Sequence, residues 1–184
     1  GAGQALAAPC VLDGATVVSA TTNSVPCDNS GTLTVSGGGS LTNASTGTLN
    51  NFGAVVNNTL LTNNGVINNT GTITSTGTVN GNGTLNSAGS LTVASGNVSV
   101  ANSSNLSGGT LTGGTWIVGS ATSGSKGGKA FLSIGSGAIT TNNANVQLLG
   151  VGASFSQLNS LTDNNGSLTV RDGASFTRAA LNNT

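Results

Sequence analysis

The chain has 184 residues, of which only 4% are charged and 3% are aromatic, and its net charge is zero. Ordinary globular domains carry about 25% charged residues; here Gly, Asn, Thr and Ser stand in their place. A neutral chain without basic clusters has no electrostatic footprint for nucleic acid or an anionic membrane surface. No apolar run approaches the ~20 residues of a membrane span, and without histidine we expect neither a metal site nor a cofactor.

The N-terminal part, residues 1–30, contains no repeat and is predicted to form a cap. Residues 1–7 resemble the small-residue end of a secretory signal peptide, and they are either such a remnant or part of the mature cap. Two short strands, at 11–12 and 15–18, are predicted to form a hairpin around Asp13-Gly14.

Cys10 and Cys27 are the only cysteines, and both are flanked by turn-forming residues. We expect them to form a disulfide that pins the cap. A disulfide places the chain in an oxidising compartment, which makes it a secreted, extracellular or cell-surface protein.

From residue 31 to 184 the pattern predicts a β-solenoid, and its most regular part spans residues 47–93. Glycine recurs there with a six-residue period, at 47, 53, 65, 71, 77, 83 and 89, and Thr59 fills the one gap. One aliphatic residue follows two places after each of these positions. A short fixed period indicates units that pack only on their neighbours.

Three hexads make one coil, so each residue should stack on the one three hexads later. This predicts three core columns: one of Leu49, Ile67 and Leu85, a second of Val55, Ile73 and Leu91, and a third of Leu61 and Val79. Asn50, Asn68 and Asn86 should stack as well, and identical amides one rung apart, at ~4.8 Å, can hydrogen-bond along the axis as a ladder. Glycine at each hexad start is expected to permit turn dihedrals.

The pattern loosens after residue 93. Residues 105–135 are irregular and include a polar Gly/Ser segment that predicts a loop leaving the solenoid. Over 145–184 a Gly-Ala-Ser-Phe sequence occurs twice, at 152–155 and at 173–176, so Phe155 and Phe176 should stack inside on successive rungs. These periods predict nine rungs or so, each of about 18–21 residues.

No catalytic residues are predicted. Hexapeptide-repeat acyltransferases share the period but need a histidine base. Polysaccharide-cleaving β-helices use clustered carboxylates. Here Asp163 and Asp172, with Arg171 and Arg178, are best explained as a solvated charge pair near the C-terminal end of the sequence. A possible ligand surface is formed by Trp116, Lys126 and Lys129, although a lone Trp beside Ile117 is more often packed in a core.

Outward threonines raise the alternative of ice binding, which would need regular threonine rows. The stacked row of Thr48, Val66 and Thr84 is interrupted by valine. This observation argues against a regular array at that position.

The chain resembles the passenger region of bacterial autotransporters and related large surface adhesins. The resemblance is carried by the Cys10/Cys27 loop, by the Asn-Gly-Val-Ile-Asn-Asn-Thr-Gly-Thr-Ile run at 64–73, and by the Gly-Ser-Leu-Thr-Val-x-x-Gly-Ala-Ser-Phe run at 166–176. It implies an all-β, single-stranded parallel β-helix displayed at the cell surface. It also favours right-handed coils, whereas a strict hexad by itself favours left-handed ones.

These features predict a non-enzymatic adhesive or structural rod. Its partners would be further copies of itself, bound laterally or end to end, or surface glycans or a receptor, bound through repeated weak contacts. A carbohydrate-binding or carbohydrate-active β-helix is the first alternative, and an ice-binding solenoid is the second. Nucleic-acid binding and membrane insertion are not expected.

Overall fold

The computed structural model describes residues 10–120, 128–178 and 182–183. It shows an all-β parallel solenoid of about seven coils, which confirms the predicted fold class. The coil number is lower than the nine rungs expected, because several coils in the second half are much longer than three hexads.

The strands form three sheets that run along the solenoid. Sheet 1 contains β1 (Thr16–Val17), β4 (Thr32–Val35), β7 (Ala54–Asn57), β10 (Thr72–Ser75), β13 (Ser90–Val93), β15 (Leu106–Ser107), β16 (Thr110–Gly119), β18 (Thr141–Leu149), β20 (Asp163–Asn164), β21 (Ser167–Arg171) and β22 (Asn182–Asn183). Sheet 2 contains β2 (Ala20–Asn23), β5 (Ser40–Asn43), β8 (Leu60–Asn63), β11 (Thr78–Asn80), β14 (Gly96–Val100), β17 (Ala130–Ile134) and β19 (Ala153–Ser154). Sheet 3 contains β3 (Pro26–Asn29), β6 (Thr48–Asn51), β9 (Val66–Asn69) and β12 (Thr84–Ser87), and a 3-10 helix spans Ser156–Ser160.

The three-hexad stacking predicted for the regular region is present. In sheet 3, Leu49 pairs with Ile67 and Ile67 with Leu85, and in sheet 1, Val55, Ile73 and Leu91 pair in the same way. All six side chains are at most 4% exposed. The aliphatic columns therefore form the continuous core that the period predicted.

The repeat glycines have a different role from the one expected. Those at 47, 53, 65, 71, 77, 83 and 89 all lack a positive φ. Instead, a Cβ on Gly71 would overlap the carbonyl oxygen of Gly53, and one on Gly83 would overlap that of Gly65. Glycine is required at these corners because consecutive coils approach too closely for any side chain.

The solenoid begins earlier than the predicted boundary at residue 31. β1 pairs with β4 in parallel, so residues 15–18 do not form a hairpin with residues 11–12, and β2 and β3 complete a first coil. A turn at residues 11–14 covers the N-terminal end of the solenoid, and its Leu12 side chain inserts into the core, where it is 2% exposed. The Cys10–Cys27 disulfide ties this turn to β3.

The carboxylate of Asp13 holds the same turn against the first coil. Its Oδ1 accepts hydrogen bonds from the backbone amides of Ser30 and Gly31, at 2.7 and 3.0 Å. These bonds, that of Gly31 first, lower the pKa of Asp13.

The second half departs from the three-sheet plan. Sheet 3 ends at β12, and the coils then lengthen, so that Leu91 pairs with Trp116 and Trp116 with Val146. β15 and β16 form an antiparallel hairpin around Gly108-Gly109, whose φ values of 55° and 79° match a two-residue type I′ turn. Within 105–135, the described residues form this hairpin, the ten-residue β16 and the five-residue β17. The polar Gly/Ser segment predicted to be a loop lies largely outside the described residues.

Candidate interaction surfaces

The predicted outer ladder of amides is present on sheet 3. Asn68 Nδ2 donates to Asn50 Oδ1 at 2.9 Å, and Asn86 Nδ2 donates to Asn68 Oδ1 at 3.0 Å. Asn50 Nδ2 continues the row by donating to Asp28 Oδ1 at 2.8 Å, and Asn86 Oδ1 accepts from the backbone amide of Ser104. These side chains link five successive coils on the outside of the solenoid.

A second, inner set of amides was not predicted and is more deeply buried. Two serines continue its rows, all members point inward, and all but Asn142 end a strand. Each is at most 6% exposed: Asn23, Asn43 and Asn63 in sheet 2, Asn29, Asn51, Asn69 and Ser87 in sheet 3, and Asn57, Ser75, Asn142 and Asn164 in sheet 1. In sheet 3, Asn29 Nδ2 donates to Asn51 Oδ1 and Asn51 Nδ2 donates to Asn69 Oδ1, both at 2.8 Å.

The inner amides also reach backbone carbonyls of the following coil. Asn51 Nδ2 donates to the oxygen of Thr72 at 2.9 Å, Asn63 Nδ2 to that of Thr84 at 2.9 Å, and Asn69 Nδ2 to that of Ser90 at 3.0 Å. Each amide group offers two protons, and these bonds satisfy polar groups that a buried turn would otherwise leave unpaired. The inner ladders therefore make the corners of the solenoid structurally possible.

The sequence contained a signal for the inner ladders. Asn occurs at 51, 57, 63 and 69 with the same six-residue period as the aliphatic column, two places after each aliphatic residue. Side chains two apart in a strand share a face. Leu49 and Asn51 must therefore both point inward, and a buried amide repeated at every corner follows from the alternation alone.

The outward face of sheet 1 is the longest regular surface of the described residues. We call its two neighbouring columns the hydroxyl face, because most of its members are Thr or Ser. The register places Thr32, Ala54, Thr72, Ser90, Thr115, Asn145 and Ser167 in one column and Thr34, Val56, Thr74, Thr92, Ile117, Gln147 and Thr169 in the other. No member carries a charge.

The threonine row considered for ice binding lies elsewhere, on sheet 3. Thr48 pairs with Val66 and Val66 with Thr84, so the interruption predicted from the spacing is present. The more regular threonine rows belong to the hydroxyl face, whose columns could not be assembled from the hexads alone.

The predicted ligand surface is not assembled. Trp116 is 0% exposed and lies in the core, where its Nε1 donates to the carbonyl oxygen of Gly113 at 2.9 Å. It cannot serve as a stacking platform because the long β16 turns it inward between Leu91 and Val146. Lys129 is exposed, and Lys126 lies outside the described residues.

The charged residues near the C-terminal end do not form a catalytic cluster in the described part of the chain. Arg171 Nε lies 3.5 Å from Asp172 Oδ2, and both side chains are partly exposed to solvent. Asp163 instead accepts from the Thr162 hydroxyl and the Asn182 amide, in that order of effect, and both lower its pKa. The two carboxylates thus have separate partners, as solvated charges do.

A cavity of about 220 Å³ lies at the C-terminal end of the solenoid. It is lined by Leu148, Ala153, Ser154, Phe155, Ser156, Asn159, Ser175, Phe176 and Thr177. The two phenylalanines predicted to stack inside thus share one cavity. Phe155 is 3% exposed, whereas Phe176 is only partly buried against the core. Val146 pairs with Leu168 here, so this coil is one position longer than the Gly-Ala-Ser-Phe repeat predicts.

Residues 10–120, 128–178 and 182–183 contain no group of three or more His, Cys, Asp or Glu side chains placed to hold a metal ion. Within the same residues, no helix has the length and apolar character needed to cross a bilayer. No protein-family model matches the chain, and no curated protein or solved structure is similar enough to it to indicate a relationship.

Proposed function

We propose that the chain is a rod segment of an extracellular adhesive or structural protein, of the surface-adhesin type, and that it is not an enzyme. The observation that carries this proposal is the combination of stacked amide ladders with a sequence that lacks charge from residue 29 to residue 125. In the regular region, each coil is held to the next through side chains as well as backbone, and the outward strand positions are neutral and mostly carry hydroxyl or amide groups.

A repeated neutral surface suits binding by many weak contacts. A single hydroxyl or amide contact with a hydrated partner contributes only about 0.5–1.5 kcal/mol. Contacts repeated at a fixed spacing and displayed on many copies add up through effective concentration. The disulfide supports the extracellular setting, because such bonds persist in oxidising compartments.

The test is a retention assay with beads coated with the purified, oxidised chain. We expect the beads to cluster with one another or to be retained under flow on glycan-coated or bacterial surfaces, and beads coated with reduced, heat-unfolded chain to show neither effect. The proposal fails if neither effect occurs on any surface offered.

An enzymatic role is tested on the same preparation by incubation with neutral and acidic polysaccharides. We expect no release of reducing ends or of unsaturated sugars. Release that is lost in Asp163→Asn or Asp172→Asn, with the fold retained, would replace the structural proposal by a catalytic one.

A further inference from the structure

The hydroxyl face of sheet 1 continues over more strands without interruption by a charge or a large exposed apolar side chain than the outward faces of sheets 2 and 3. It runs over seven strands, from β4 to β21, and the first six of these, from β4 to β18, carry no charged side chain. Sheet 3 stops after four strands and presents Asp28 on its outer surface. Sheet 2 carries two large exposed apolar side chains, Leu60 at 37% and Phe131 at 36% exposure. Over the six strands from β4 to β18, the hydroxyl face contains neither a charge nor a large apolar side chain of that exposure. The charges of sheet 1 in the described residues, Asp163 in β20 and Arg171 in β21, lie beyond β18.

We propose that the hydroxyl face is the lateral contact between two copies of this chain. This inference rests on the proposed function and names the surface and the partner for self-association. The partner is a second copy because the chemistry of the face is self-complementary: a threonine or serine hydroxyl is both donor and acceptor. An isologous pair therefore needs no opposite surface on its partner.

The hydroxyl face also lacks the charged side chains that keep soluble proteins from associating. Soluble β proteins use charged side chains to block association at sheet edges, and net charge keeps molecules separate in solution. The chain has no charged residue between Asp28 and Lys126. The methyl groups of threonine, together with Val56 and Ile117, supply apolar contact between the hydroxyls when two sheets pack at ~10 Å.

The size of the face sets the expected strength. Six strands from β4 to β18 at ~4.8 Å spacing, each with four residues of ~3.3 Å, give a rectangle of about 300 Å². Stable complexes bury about 800 Å² on each partner. One pair of faces should therefore associate weakly and reversibly in free solution, and more strongly when many copies are displayed together.

The experiment compares two matched pairs of lysine substitutions. Thr74→Lys with Thr92→Lys places two charges on adjacent rungs of the hydroxyl face, and Thr42→Lys with Thr62→Lys does the same on sheet 2. All four threonines are half-buried outward residues, so the variants differ in face and not in residue type or burial class. Circular dichroism and melting verify that both variants keep the fold.

Self-association is measured by sedimentation over a wide range of concentrations, at low and high salt. We expect the unchanged chain to dimerise weakly at both salt concentrations. The Thr74/Thr92 variant should bind at least about tenfold more weakly, because like charges would face each other across the interface. The Thr42/Thr62 variant should behave like the unchanged chain.

Three results would overturn the inference: a chain that stays monomeric at every concentration, an equal loss of association in both variants, or an association that disappears at high salt and so depends on the charged ends. None of these results removes the proposed function, because bead retention on a glycan surface does not require the hydroxyl face to pair. If the beads neither cluster nor are retained on any surface while the free chain still dimerises, the proposed function fails and this inference stands.

Discussion

Residues 47–93 and residues 96–178 belong to the same parallel solenoid but differ in coil length, strand length and buried side chains. In the first region consecutive coils are in three-hexad register, the strands are short, and inward amides hold the corners. In the second region β16 and β18 are more than twice as long, coils extend from Val98 to Leu132 and from Val146 to Leu168, and the buried positions include Trp116. Only one side-chain pair of the inner amide type occurs in its described residues, between Asn142 and Asn164.

The difference shows that the coils of one solenoid can be held in place either by stacked, hydrogen-bonded amides or by large buried apolar side chains. Where every coil has the same length, an amide meets an amide on the next rung, and hydrogen bonds can define the corner. In the second region the strands remain paired, but the inward residues paired from one coil to the next are seldom both amides. There Trp116, buried between Leu91 and Val146, contributes apolar burial instead, because large side chains bury more apolar surface.

The largest effect should come from breaking an inner ladder in the regular region. Asn51→Leu removes the acceptor of Asn29 and the donor to Asn69 and to the Thr72 carbonyl, all of them at buried or half-buried positions. Unpaired buried polar groups cost about 1–3 kcal/mol each, so we expect a loss of about 3–5 kcal/mol in the free energy of unfolding.

The matched control is the neighbouring Asn50→Leu, which breaks the outer ladder. Its partners can turn to water, and we expect a loss of about 1 kcal/mol. Chemical unfolding gives the free energies, and hydrogen exchange should show protection lost around β6 and β9 but kept in β18. Equal losses for the two variants would show that burial does not distinguish the ladders.

The next largest loss of stability should come from removing the large buried side chain of Trp116 in the second region. Trp116→Ala leaves a cavity between Leu91 and Val146. It should cost about 3–4 kcal/mol, whereas Trp116→Phe should cost less because much of the volume is kept. Hydrogen exchange should now change in β16 and β18 more than in β6. Loss of protection throughout the solenoid would mean that the two regions unfold as one unit.

A smaller effect is expected at the boundary between the regions, where sheet 3 ends. Asn105 covers the exposed edge of β12: its Oδ1 accepts from the Ser87 amide at 2.7 Å, and its Nδ2 donates to the Ser87 carbonyl at 2.8 Å. Asn105→Ala should cost about 1–2 kcal/mol and raise exchange at Ser87. Ser104→Ala, an exposed change next to it, should alter neither quantity.

The smallest effect is a pH dependence at the N-terminal turn. Because hydrogen bonds lower the pKa of Asp13 in the fold, its stabilising contribution is complete above the ordinary value of 3.8 and is lost as the pH falls through the lowered value. The protection of the Ser30 and Gly31 amides, measured relative to their intrinsic exchange rates, should fall in that acidic range. Asp13→Asn should remove this pH dependence of protection, whereas Asp163→Asn should leave it in place.

The period of residues 47–93 predicted the coil length, the three aliphatic columns and the Asn50–Asn68–Asn86 ladder, because each depends only on positions three hexads apart. The inner ladders could also be predicted from the sequence. Asn51, Asn57, Asn63 and Asn69 each follow an inward aliphatic residue by two places, and side chains two apart in a strand share a face. Trp116 could not be placed in this way. Its pairing with Leu91 and Val146 depends on insertions that lengthen both coils and on the register shift within β16.

The early start of the solenoid was not predicted for a related reason. Residues 16–29 lack the glycine hexads, yet the first coil needs only inward residues that match the second coil, and Val17, Asn23, Cys27 and Asn29 supply them. The full columns of the hydroxyl face could not be predicted from the sequence either, because they join strands from coils of different lengths.

The two kinds of ladder have opposite polarity. On sheet 3, each inner amide donates its protons to the coil that follows it, whereas each outer amide donates to the coil that precedes it. A partly formed solenoid growing from its N-terminal end therefore carries a terminal rung whose inward amide hydrogens are already positioned and still unpaired. The next segment of chain binds to a prepared template, and completing each coil creates the same template again, so the order of assembly can follow the order of the chain.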